Sequence, residues 1–186
     1  MSTIKNQTDL SGMLGESLSV RKINGRVVIK NRPARKLPEP SAVQLEFKKK
    51  FRKALQYAKQ QMSQPDVKLA YANGTNKKLR SAFSVALKDY LVAPEVGPID
   101  TIDYHGATGD PIVVTATDDF MVTKVKIIVT DAAGAILEQG EANPDPQQNI
   151  LWVYNATVAN PTLTGTKIQA IAYDRPGNRT SLEKVL

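Results

Sequence analysis

Residues 112–134 read IVVTATDDFMVTKVKIIVTDAAG. Ile112, Val114 and Ala116 recur at every second position, and after the Asp118-Asp119 break so do Thr123, Val125, Ile127 and Val129. Side chains two apart share one face of a strand, so this stretch predicts two half-buried β-strands joined by a turn. Lys124 and Lys126 fall on the opposite face. The alternation returns in Trp152, Tyr154 and Ala156 and in Ile168, Ala170 and Ala172. Further strands are expected at 101–104, 135–139 and 182–186. About seven short strands separated by turn clusters predict a β-sandwich over 99–186.

Upstream the period changes. Segment 93–98, APEVGP, holds two prolines and a glycine and is the best domain boundary in the chain. Before it, residues 41–64 carry Val43, Phe47, Phe51, Ala54, Leu55, Ala58 and Met62 at spacings of three and four, an amphipathic helix with these residues facing inward. Ser41 and Gln44 give a capping-box pattern at its start. Pro65-Asp66 opens a short helical turn that Asn73-Gly74 closes, with Gly74 suited to a left-handed cap. Thr75 or Asn76 is expected to cap a last helix through Leu91 with Leu79, Phe83, Ala86 and Tyr90 inward. Segment 18–31 reads as a hairpin about the type I′ turn Asn24-Gly25, pairing Ile23 with Arg26. The expected organisation is α+β in two parts: a tail over 1–17, a basic hairpin and helical domain over 18–93, and the sandwich over 99–186.

Charge divides the chain in the same way. Residues 1–100 carry 19 Lys/Arg and 8 Asp/Glu, net +11, whereas residues 101–186 carry 6 and 10, net −4. A basic half beside an acidic one points to a polyanion, an acidic protein surface, or attraction between neighbouring copies. The absence of cysteine excludes disulfides and thiolate metal sites. The first residues lack the apolar core of a signal peptide and no run is long enough to span a bilayer, so the product is expected to stay soluble where it is made.

Three motifs resemble bacterial immunoglobulin-like domains: Ala116-Thr117-Asp118, Trp152-x-Tyr154-x-Ala156, and Ala172-Tyr173-Asp174-Arg175-Pro176-Gly177-Asn178. The resemblance covers roughly 100–186 and implies a seven-stranded immunoglobulin-like sandwich without the antibody cysteine pair. It also implies the roles such modules usually serve: spacers, adhesins, or decorations on surface proteins and phage-like particles. The N-terminal half is similar to small uncharacterised bacterial proteins, a likeness that implies no activity.

Chemistry-bearing constellations are few. His105, the chain's one histidine, sits in the glycine-flanked turn HGATGD, and no G-x-S-x-G elbow accompanies it. A loop histidine is the expected reading. Gly74-Thr75-Asn76-Lys77-Lys78 lacks the second glycine and the hydroxyl of a phosphate-binding loop. Asp118, Asp119 and Asp174 would lie at one end of a sandwich, where oxygen ligands suit calcium. Aspartate is also a common turn former that bonds its own backbone, and that reading is preferred. The main binding candidate is the basic set Arg21, Arg26, Lys30, Arg32, Arg35, Lys36, Lys48, Lys49, Arg52 and Lys53. It fits a polyanion or an acidic partner. A helix-turn-helix with Lys77, Lys78 and Arg80 opening its second helix is a weaker reading.

These observations lead to a non-enzymatic structural protein: a basic docking region that joins a protein assembly as a homo-oligomer, bearing an immunoglobulin-like module. A virion or phage-like particle is the expected setting, with no cofactor, membrane or small-molecule substrate. The alternative is a nucleic-acid-binding protein that uses the same basic region. A carbohydrate-binding adhesin would need exposed aromatic residues, and Trp152 lies in a predicted strand.

Overall fold

Asn24 and Gly25 take positive φ values of 52° and 80°, the geometry of a type I′ turn. β2 (Leu18–Ile23) and β3 (Arg26–Asn31) therefore pair with Ile23 opposite Arg26 and Val20 opposite Ile29, the expected register. The computed structural model describes residues 12–14, 18–31 and 39–186. Within 1–17, read from sequence as a tail, β1 (Gly12–Leu14) pairs with β2. The open edge of β2 offers backbone hydrogen bonds that a short extended segment can take up without any apolar periodicity. Chain contacts place this sheet in a compact unit, Met1–Leu45, and everything beyond in a second, Glu46–Leu186.

α1 (Ala42–Met62) starts as expected: the Ser41 N–H donates to Gln44 Oε1 at 3.1 Å and the Gln44 N–H to Ser41 Oγ at 3.3 Å. α2 (Pro65–Asn73) carries proline in its first turn, where a missing N–H does no harm. Gly74 after it has φ −84°, not the left-handed value expected. Its requirement is steric, since a Cβ there would come within 2.9 Å of the Phe120 ring. α3 (Ala82–Leu91) begins later than Thr75 or Asn76. Ser81 wins the cap because Ser84 reciprocates in a capping box, while the Asn76 carboxamide holds the N–H groups of Lys78 and Leu79 in a turn. Ala58, Tyr71, Val85 and Ala86 form the buried centre of the helices, with Tyr57, Met62, Phe83 and Phe120 around them.

The rest of the chain makes the α+β fold's principal sheet: β4 (Glu95–Asp100), β5 (Pro111–Thr117), β6 (Val122–Thr130), β7 (Ile136–Pro144), β8 (Leu151–Asn155), β9 (Lys167–Asp174) and β10 (Arg179–Val185). All pairings are antiparallel, in the order β10-β9-β6-β7-β8-β5-β4. The two end strands touch, and Lys184 Nζ donates to the Ile99 carbonyl at 3.1 Å, so the sheet is nearly closed as a barrel. Ile112, Val114, Val125, Ile127, Val129, Ile168 and Ala170 are fully buried inside it. Thr123, expected inward, is exposed because the register shifts between Val122 and Lys124. Its hydroxyl instead donates to the Tyr173 and Asp174 carbonyls.

The first strand starts inside the expected boundary 93–98 and ends at Asp100, rather than spanning 101–104. Pro98 is tolerated because β4 ends the strand order and its register is broken between Val96 and Ile99. Helices and barrel keep separate hydrophobic clusters, with Phe120 from beyond Pro94 joining the helical one, and both belong to the unit Glu46–Leu186. The contact-defined division falls between Leu45 and Glu46, upstream of the boundary read from composition.

Ile127→Ala should destabilise the protein by about 2–5 kcal/mol in urea unfolding, whereas Ile136→Ala, at a side chain 61% exposed, should stay within about 0.5 kcal/mol. Equal effects would refute the inward face assigned to β6.

Candidate functional site

Two turns and one helix bring three aspartates together. Asp118 follows β5, and its Oδ2 accepts the N–H groups of Phe120 (3.0 Å) and Met121 (2.9 Å). Asp174 closes β9, and its Oδ1 accepts those of Gly177 (2.8 Å) and Asn178 (2.6 Å). Both therefore perform the turn-forming role read from sequence. The third aspartate is Asp89 of α3, where Ala82, Val85, Ala86 and Asp89 follow the i, i+3, i+4, i+7 spacing of one helix face. Asp89 is 1% exposed and Asp174 4%. One carboxylate oxygen from each of the three lies within 4.8 Å of the others. Asp119 stands apart from this cluster in an ion pair with Lys88 at 2.7 Å.

Donors from the helices and from Asn178 hold the cluster. Tyr71 donates to Asp89 Oδ2 at 2.5 Å, and the Tyr57 hydroxyl lies 2.8 Å from that of Tyr71. The Asn178 amide nitrogen is 2.7 Å from Asp174 Oδ2 and 3.2–3.3 Å from the Asp89, Tyr90 and Val92 carbonyls, so a barrel turn serves the orphan acceptors at the end of α3. Phe120 stacks on Tyr71 with centroids 4.4 Å apart, and the Arg175 guanidinium lies 5.6 Å from the same ring. Burial pushes the Asp89 carboxyl up to about 7, opposed by the Tyr71 hydrogen bond and aided by the negative charges of Asp118 and Asp174 and by a carboxyl–carboxylate hydrogen bond with Asp118. Burial likewise raises Asp174, against the pull of Asn178.

The basic set is distributed differently. Arg21, Arg26 and Lys30 are exposed on the hairpin, and Lys48, Lys49, Arg52 and Lys53 are exposed on α1. Arg32, Arg35 and Lys36 lie outside the described residues. Arg21 and Lys30 line a groove of about 170 Å³ with Ile23 and Val28. Lys77, Lys78 and Arg80 precede α3 and so do not open a recognition helix. The apolar stripe of α1 departs from expectation: Ala54 and Ala58 are buried, but Val43 is 75%, Phe47 60% and Phe51 36% exposed. His105 is exposed on its loop with Nδ1 3.1 Å from the Asp103 carbonyl. No helix among the described residues is long and apolar enough to cross a membrane.

No family model, curated protein or solved structure matches the chain. The sequence brought forward Asp118 and Asp174 but missed Asp89, Tyr71 and Asn178. A signal for Asp89 was present: a carboxylate at the fourth position of the stripe Ala82, Val85, Ala86. Drawing that stripe one residue out of phase, through Phe83 and Tyr90, hid it.

Because folding raises the Asp89 pKa, the native chain binds more protons than the unfolded one between its ordinary 3.8 and about 7. This contribution to stability is complete below that window and lost as pH rises through it. Asp174 acts with the same sign. Urea unfolding in EDTA should show stability from this pair declining between pH 4 and 8, with a flatter profile in Asp89→Asn. Tyr71→Phe should cost about 1–3 kcal/mol at pH 8, where it strips a charged, buried oxygen of its donor. Unchanged stability in Tyr71→Phe would overturn the hydrogen-bond assignment.

Proposed function

We propose that the protein is a non-enzymatic assembly component that self-associates through the N-terminal half of α1 and carries an immunoglobulin-like module. The observation that supports this most is the exposed stripe Val43, Phe47 and Phe51, flanked by Lys48, Lys49, Arg52 and Lys53. An apolar helix stripe edged by cations is a suitable surface for a protein partner. A second copy of the chain is the occupant favoured by charge, since residues 1–100 carry net +11 and residues 101–186 net −4. The module reading draws support from strand order: β4-β5-β8 and β10-β9-β6 match the ladders A-B-E and G-F-C of immunoglobulin-like sandwiches, while β7, paired to both β6 and β8, departs from them. A virion or phage-like particle is the setting that fits such a module.

A second reading, nucleic-acid binding, is favoured by the cationic groove between Arg21 and Lys30. Filter binding separates it: retention of DNA or RNA at low salt that is lost steeply as salt rises supports it, and no retention at low salt removes it.

Light scattering on the full chain should give a mass above the monomer that falls toward the monomer in Phe47→Asp/Phe51→Asp, with circular dichroism unchanged. A wild-type monomer at every concentration tried would end the self-association reading.

A further inference from the structure

We propose that Asp89, Asp118 and Asp174 bind a divalent cation of the calcium class, which ties α3 to the turns after β5 and β9. The proposal stands independently of self-association. Its first support is charge. Three carboxylates share a site whose members are buried or half-buried, and among the described residues no Lys or Arg forms an ion pair with any of them. Lys88 pairs with Asp119, and Arg175 lies over the Tyr71 ring. Buried carboxylates in that condition either hold a proton or take a counter-charge.

The second support is a pair of orphaned atoms. The hydrogen bonds of the cluster occupy Asp89 Oδ2, Asp118 Oδ2 and both oxygens of Asp174. Asp89 Oδ1 and Asp118 Oδ1 are buried and accept from no N–H or O–H group of another residue, so apart from a proton shared between the two carboxyls only an ion can satisfy them. An acceptor lacking a donor inside a protein is rare and expensive, and a cation satisfies two such oxygens at once. Asp89, 1% exposed, thus presents a free oxygen to the group that also contains Asp118 and Asp174.

The third support is fit. The ligand oxygens lie within 4.8 Å of one another, the widest separation that two oxygens on a common ion can have at about 2.4 Å each. The donor set is oxygen alone, which suits hard cations and disfavours zinc or copper. Turn hydrogen bonds fix Asp118 and Asp174 before any ion arrives, and Tyr71 fixes Asp89, so little ordering accompanies binding.

Terbium and calcium titrations of the full chain, stripped with EDTA and held at pH 8, test this. Tyr71 touches the site through Asp89, so excitation of tyrosine should produce terbium emission that calcium displaces. Calcium should also raise Tm progressively with concentration. Asp118→Asn should weaken calcium affinity by roughly tenfold or more, since losing even an outer-shell partner of a ligand costs that much. Asp119→Asn, at a residue already paired with Lys88, should leave it unchanged. Wild-type protein with neither sensitised emission nor a calcium-dependent Tm would overturn the proposal. So would equal loss of affinity in Asp118→Asn and Asp119→Asn, which would mark diffuse attraction to an acidic surface. Should Asp118→Asn fail to fold, the wild-type titrations and Asp119→Asn still decide the outcome.

Discussion

The desolvated carboxylate of Asp89 is the constraint on which the joint between helices and barrel depends. It sits where α3 meets the turns after β5 and β9, and it is satisfied on one side by Tyr71 of α2. Moving α3 would expose the carboxylate, strand Tyr71 and Tyr57, and withdraw three carbonyls from Asn178. The two hydrophobic clusters do not merge across this joint, and Phe120, stacked on Tyr71, is the barrel-side residue that enters the helical one. Polar geometry therefore sets the orientation. The magnitudes agree: each neutral hydrogen bond nets only about 0.5–1.5 kcal/mol and the part-exposed Lys88–Asp119 pair less than about 1, against several kcal/mol for burying a carboxylate. Such a joint is specific without being strongly stabilising by itself.

Much of the barrel was legible because its signal is local and repeated. A strand with one buried face must alternate, so Ile112, Val114, Ala116, Val125, Ile127, Val129, Ile168, Ala170 and Ala172 named the core directly. The Asn24-Gly25 turn and the Ser41 cap were legible for a similar reason, as each needs side chains that few other structures demand. Asp118 and Asp174 were visible as turn formers. Their convergence with each other followed from strands β5 and β9 ending on the same side.

What stayed hidden depends on competition between segments. Asn76 and Ser81 are both good caps, and the sequence does not announce that the first serves a turn and the second a helix. Glu95–Asp100 reads as a linker because proline and glycine dominate it, and only the place at the end of the strand order makes Pro98 acceptable. Gly74 looks like a conformational glycine and is a packing one, answering to Phe120 some 46 residues later. Asp89 was the costliest omission. A charged residue within an apolar stripe is usually discounted as the edge of the stripe, whereas here it is the centre.

The exposed end of α1 has a geometric origin. At 1.5 Å per residue its 21 residues extend about 31 Å, while α2 with 9 and α3 with 10 reach about 14 and 15 Å. The shorter helices cannot cover the longer one along its length. Coverage falls where the small residues are, at Ala54 and Ala58, and Tyr57 there meets Tyr90 with ring centroids 5.2 Å apart. Phe51 and Phe47 lie about one and two turns before Ala54 and stack on each other at 6.2 Å instead. Had the helix been needed only for the intramolecular core, beginning it near Phe51 would have removed the most exposed residues, Val43 and Phe47, while keeping the buried Ala54 and Ala58. That it starts at Ala42 instead, apolar on one side and cationic on the other, is the physical reason to look for what covers it.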